Sequence, residues 1–314
     1  MSQGSFPGIL AVLAAAFLWG TTGTAATFAP TVGPLAMGAA ALGIGGILQA
    51  VIAVPSLRRE HAELSSHRGT VIAGAAAVVI YPLAFYSSMH LAGVAVGTVV
   101  SLGSAPIASG LLERVMERRT LSVWWMLAAA LGIVGCAVLC AAQMHDAPSE
   151  TLRTVAGVVL GLVAGATYAV YSWSARRLMN LGIRRAAAMG AVFGLGGVAL
   201  MPVLLLTGAP LVTSTQAFTV GAYMALVPMF LGYLLFGYGL TRVNASTATT
   251  LTLAEPAVAA ILAVVIVGER LPATGWAGLA GICASLLVLS LAPATREDAT
   301  EPPHSNSLPA RQEA

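Results

Sequence analysis

Apolar residues run along this chain in blocks of about 20, the length that crosses a bilayer core as a helix. Short polar breaks separate them. The pattern predicts about ten helices, over 8–29, 34–54, 70–91, 94–112, 122–142, 154–175, 186–206, 217–239, 244–267 and 273–292. After Pro293 the pattern stops. The remaining tail, 293–314, is polar, charged and Pro-containing, and is predicted to be disordered. The first eight residues carry no positive charge, so the first block reads as a retained helix rather than a signal peptide.

Composition narrows the class. Of 314 residues, 58% are hydrophobic and 9% charged, against about a quarter charged in soluble domains. Too few charges remain to cover a water-facing surface. A soluble enzyme, a nucleic-acid binder and a disordered chain are excluded. An all-α polytopic membrane protein is left.

The charges set an orientation. Every basic residue is Arg. Arg58, Arg59, Arg68, Arg114, Arg118, Arg119, Arg176, Arg177, Arg184, Arg185 and Arg242 fall after the second, fourth, sixth and eighth helices, and Arg296 and Arg311 in the tail. The other breaks hold Arg153 and Arg270. The positive-inside rule then places both termini in the cytoplasm. No basic stripe suggests nucleic acid. Cys136, Cys140 and Cys283 lie in apolar segments and read as small buried residues, with no disulfide framework and no metal.

The chain also repeats. A shift of 150 pairs Tyr86 with Phe236, Ala95 with Ala245, Pro106 with Pro256, Leu112 with Leu262, Leu121 with Leu271 and Val138 with Val288. Near the start a shift of 149 pairs Gly8 with Gly157 and Trp19 with Tyr168. Two units are expected, 8–142 and 154–292. Five helices is an odd number, so the second unit enters the membrane upside down relative to the first. Inverted repeats of this kind build secondary transporters, with the substrate site at mid-depth between the halves.

These residues resemble the EamA-type unit of the drug/metabolite transporter superfamily. The first half shows Phe17-Leu18-Trp19-Gly20. Both halves show a proline in the unit's fourth helix, then a Glu-Arg break and a Leu: Pro106, Glu117-Arg118, Leu121, and Pro256, Glu269-Arg270, Leu271. Glu255-Pro256 also fits the second-half pattern, whereas the first half has Ala105 in place of the acid. The resemblance covers about 8–292. It implies ten helices, inverted repeats, a central cavity and, most often in bacteria, export of amino acids, other metabolites or drugs. The chain looks most like the aromatic-amino-acid exporter branch. A relative moving sugars, nucleotide sugars or nucleosides is the alternative, although amides are sparse: Gln49, Gln143, Asn180 and Asn244 all lie toward span ends.

Candidate site residues follow. Glu255 is the only acid well inside a predicted span. It is either a proton-coupling group or partner for a substrate ammonium, or a cap for backbone freed by Pro256. Pro106 and Pro256 are expected to bend or break helices four and nine, as a gating hinge or as a fixed kink. Trp19, Tyr81, Phe85, Tyr168, Tyr171, Tyr233 and Phe236 lie at mid-depth. Tyrosine hydroxyls facing lipid would be unpaired, so Tyr81, Tyr168 and Tyr233 are expected to point inward, and the aromatic set either lines a cavity or simply packs. Among the hydroxyls of helices four and nine, Ser246 is the substrate-binding candidate, the others reading as packing. His90, near the outer end of helix three, is a candidate pH-sensing group or an ordinary interfacial residue. Trp124, Trp125 and Trp276 read as belt anchors. Gly93/Gly97, Gly161/Gly165 and Gly190/Gly194 permit close helix contact within the chain.

No nucleotide-binding motif is present, so a gradient is expected to drive any transport. Paired mid-span acids and mid-span histidines are missing, which argues against an intramembrane enzyme. A single internally repeated chain fits a carrier better than a channel. The expected partners are a small-molecule substrate and the lipid bilayer, with no cofactor and no obligate protein partner.

Overall fold

The computed structural model describes residues 6–118, 120–142, 151–267 and 271–291. Met1–Ser5, the 143–150 connection, Glu269, Arg270 and the tail expectation for 293–314 lie outside them. All regular structure among the described residues is helical.

Ten rods form the fold. They are α1 (Phe6–Thr27), α2 (Pro34–Arg59), α3 (Arg68–Ala92), α4 (Val94–Met116), α5 (Val123–Ala141), α6 (Thr151–Asn180), α7 (Arg185–Thr207), α8 (Thr215–Leu240), α9 (245–267, in pieces) and α10 (Ala273–Leu291). Eight of them are long and apolar enough to cross a membrane, and α5 and α10 are shorter apolar helices. The rods outrun the predicted spans where the arginines sit: α2 continues to Arg59, α4 to Met116 and α6 to Asn180. Hydropathy reads where lipid ends, whereas the backbone ladder continues into the polar layer and carries Arg side chains outward. This end is called the basic end below.

The packing has two-fold pseudo-symmetry. Helix α3 packs on α6, and its counterpart α8 packs on α1. Helix α4 packs on α6, and its counterpart α9 on α1. The pairs α5–α10 and α2–α7 map onto themselves. Matched helices run antiparallel: Ala128 and Gly135 of α5 meet Ser285 and Ile282 of α10, while Gly43 and Gly46 of α2 meet Leu200 and Phe193 of α7. The repeat offsets reappear as contacts. A methyl at Gly8 would strike Arg242, and one at the matched Gly157 would strike Ala92, the residue matched to Arg242. Two related five-helix units therefore lie upside down to one another.

Small residues make the close crossings. Gly161 and Gly165 leave room for α3 and α4, and Gly190 and Gly194 for Ala53 and Ala50 of α2, so these pairs serve packing within the chain. Gly93 instead turns the chain between α3 and α4 with φ of 88°, a conformation that glycine adopts without a Cβ penalty. Cys136 is buried, as expected, but Cys283 is exposed on the outer surface of α10. Trp124 and Trp276 face outward; Trp125 turns inward against Gly110.

Three rods are irregular. Helix α2 holds a π-helical segment, Ala39–Ile44, and α8 another, Ala225–Leu231, containing Pro228. The two segments pack on each other. Helix α9 is interrupted between Ala245–Leu251 and Ala254–Leu262, just before Pro256. Helix α4 continues through Pro106 as a single helix, so the matched prolines have different consequences. Wide turns and breaks inside membrane helices mark functional regions more often than packing regions.

Candidate functional site

The break in α9 places Glu255 in the first turn of the half-helix Ala254–Leu262. Amide N–H groups at such a start favour a negative group. Glu255 is half-buried. No described residue hydrogen-bonds or ion-pairs with its carboxyl. The backbone of this turn is held by Gly20 of α1, where an added methyl would lie 2.9 Å from the Glu255 carbonyl oxygen and 2.7 Å from Val258.

Trp19, the neighbour of Gly20, is buried and turns across the centre. Its Nε1 donates to the Pro228 carbonyl at 2.9 Å, inside the π-helical segment of α8. Its ring lies 4.8 Å from Tyr233 and 5.3 Å from Phe236. Tyr81 of α3 stacks on Phe85 at 5.6 Å and meets Tyr168 and Tyr171 at 5.4 and 5.5 Å. Phe193 of α7 closes the layer against Tyr233 at 4.5 Å. The mid-depth aromatics thus form one interior cluster drawn from both repeats.

The hydroxyls divide into two groups. Tyr168 donates to Thr252 Oγ1 at 3.0 Å and so ties α6 to the break in α9. The Tyr171 and Tyr233 hydroxyls share a hydrogen bond of 2.8 Å. Tyr81 and Tyr86 have no hydroxyl partner among the described residues. Both line a cavity with Glu255, Trp19, Phe85 and Tyr233. The cavity measures about 20 Å³, which holds a water rather than a solute. A molecule larger than water fits only if the walls part.

Two predicted residues stand apart from this cavity. Ser246 is at the basic end of α9, where its amide and hydroxyl donate to the two carboxylate oxygens of Glu113 at 2.9 and 2.6 Å. It joins α9 to α4 there and does not line the cavity. His90 is exposed near the far end of α3, also outside the cavity lining. Pro106 lies buried within the continuous α4. Pro256 lies beside Glu255 in the broken α9.

Two residues were missed. Glu113 is a second buried acid, only 4% exposed. It fell one residue beyond the predicted end of the fourth span, and the onward run of the helix was the signal. Tyr86 entered the sequence reading only as the repeat partner of Phe236. Near the basic end, Trp173 Nε1 also donates to Glu117 at 2.9 Å, and an Arg176 Nη1 donates to the Leu240 carbonyl. Trp173–Glu117 and Ser246–Glu113 join the two repeats at that end, and Arg176–Leu240 ties α6 to α8 within the second.

Ten apolar rods in two inverted repeats, around an aromatic interior with an acid at a half-helix start, are the architecture of a polytopic membrane transporter. Sequence comparison agrees. The profile of the EamA-like transporter family matches residues 6–141 and again 155–291. The chain belongs to that family. It is 36% identical over 292 residues to a protein of Bacillus subtilis (strain 168) named "Uncharacterized transporter YwfM", covering 92% of this chain and 96% of that one. A solved crystal structure at 18% identity superposes with a TM-score of 0.74 over 90% of this chain and 96% of that one. That likeness shows the fold.

Proposed function

We propose that the protein exports amino acids, aromatic ones included, and related small metabolites across the bacterial inner membrane by alternating access. The observation that carries this reading is the Glu255 carboxyl, without a hydrogen-bond or ion-pair partner among the described residues, in a cavity that it lines with Trp19, Tyr81, Phe85, Tyr86 and Tyr233 beside aliphatic groups such as Leu42 and Met229. A carboxylate at mid-depth pairs with a substrate ammonium, and the rings accept an apolar or aromatic side chain. The substrate-binding set is Trp19, Tyr81, Phe85, Tyr86 and Tyr233. Tyr168 and Tyr171 act behind them by fixing α9 and Tyr233. Glu255, with Pro256 at the helix break, forms the coupling element.

The basic end is the cytoplasmic one by the positive-inside rule. The Glu113–Ser246 contact joins the two repeats at that end, and in this reading it holds the cavity closed toward the cytoplasm. The positions matched to this pair at the other end, Val96 and Ala263, are aliphatic. Exchange of conformation between the halves, with the contact broken, would open the cavity to the cytoplasm.

The test is flux in proteoliposomes with a panel of labelled amino acids, nucleosides and sugars, with and without a pH gradient. Saturable amino-acid flux with counterflow is expected. Flux of nucleosides or sugars alone would overturn the substrate class, and ohmic current would overturn the carrier.

A further inference from the structure

A second cavity, about 470 Å³, opens on the outer surface of the bundle between α2, α3 and α7. It shares no lining residue with the aromatic cavity and belongs to no part of the transport path described above. Its mouth is at the basic end and is polar: His61 and Ser65 on the short surface helix His61–Ser66, and Arg68 at the start of α3. Deeper in, the walls are aliphatic, with Leu57, Ile72, Leu195 and Val198 among them. From Gly190 to Val198, α7 carries this wall over about 12 Å of helix, at about 1.5 Å per residue.

The charge at the mouth is unbalanced. Among the described residues, Arg68 has no ion pair and no side-chain hydrogen bond. Glu60, the nearest acid before the short helix, is engaged by Arg184, with Nε to Oε1 at 3.2 Å and the Arg184 amide to Oε2 at 2.8 Å. Glu63 is exposed and does not line the cavity. A cationic, hydroxyl-bearing mouth over an aliphatic channel open to the hydrocarbon matches one kind of molecule. We propose that this groove binds an anionic phospholipid, its phosphate at Arg68, Ser65 and His61 and one acyl chain laid between α2, α3 and α7.

The experiment uses the full-length protein in detergent micelles, with phosphatidylglycerol or phosphatidylethanolamine added and retained lipid counted by native mass spectrometry. Phosphatidylglycerol should be retained about fivefold better at low salt, the effect of one basic residue near an anionic headgroup. The preference should shrink at high salt, where the mouth is screened. Arg68→Gln should remove the preference without changing the circular dichroism spectrum, because the side chain is exposed. Ile72→Trp, which fills the aliphatic part, should lower retention of both lipids. Equal retention of the two lipids by the unaltered protein, or an unchanged preference in Arg68→Gln, would overturn the proposal.

Discussion

Trp19 and Tyr168 occupy matched positions of the two repeats and meet edge-on, their ring centroids 6.4 Å apart and their planes at 78°. The pseudo-two-fold axis therefore passes close to this pair. Each ring fixes a different irregularity in the second repeat: Trp19 holds the π-helical turn of α8 through Pro228, and Tyr168 holds the break of α9 through Thr252. The symmetry of the fold is broken around Glu255. Only the second repeat carries an acid before its proline, and only there is the helix interrupted.

Removing the charge at Glu255 while keeping its shape isolates its role. Glu255→Gln should cut amino-acid flux in proteoliposomes about tenfold or more, since a hydrogen bond to a charged group contributes about 1.5–3 kcal/mol. The gel-filtration profile should not change. Wild-type flux with an unaltered response to pH would remove Glu255 from the coupling role.

The indole of Trp19 has two separable parts. Trp19→Phe deletes the N–H that reaches Pro228 and should cost about 1 kcal/mol. Trp19→Ala also empties the space beside Tyr233 and Phe236 and should cost about 3–5 kcal/mol. Thermal unfolding in detergent reads both; equal losses from the two variants would contradict this division.

Breaking the contact between α4 and α9 should favour opening of the basic end. Ser246→Ala removes the hydroxyl that donates to Glu113 at 2.6 Å. In a background lacking Cys136, Cys140 and Cys283, a cysteine at Thr250 should then react several-fold faster with a maleimide applied from the basic face. Unchanged labelling would show that the contact does not hold this end closed.

Gly20 and Gly23 lie one turn apart on α1 and should respond oppositely. Gly20→Leu drives a side chain into Val258 and the Glu255 carbonyl and should abolish folding or transport. Gly23 faces open space, so Gly23→Ala should be neutral or stabilise by up to about 1 kcal/mol. Yield of folded protein and flux together check the pair.

Much of the architecture was legible before any coordinates. The ten apolar blocks, the offset of 149–150 and the placement of the arginines predicted ten helices in two units of opposite sense. The inward placement of Tyr81, Tyr168 and Tyr233 followed from the cost of burying a lone hydroxyl in lipid. The site was legible only in part. Ser246 proved to belong to a contact at the basic end, Glu113 fell just outside its predicted span, and Tyr86 drew notice only as a repeat match.

The sequence by itself determined where helices form, because in hydrocarbon each 20-residue block must satisfy its backbone within itself. The tertiary structure alone decided which faces meet. Helices that are apolar all round carry no polar stripe to set their rotation, so interhelical packing sets it. That rotation brings Glu113 to Ser246, 133 positions away, and leaves the carboxyl of Glu255 beside the aromatic rings with no hydrogen-bond partner among the described residues.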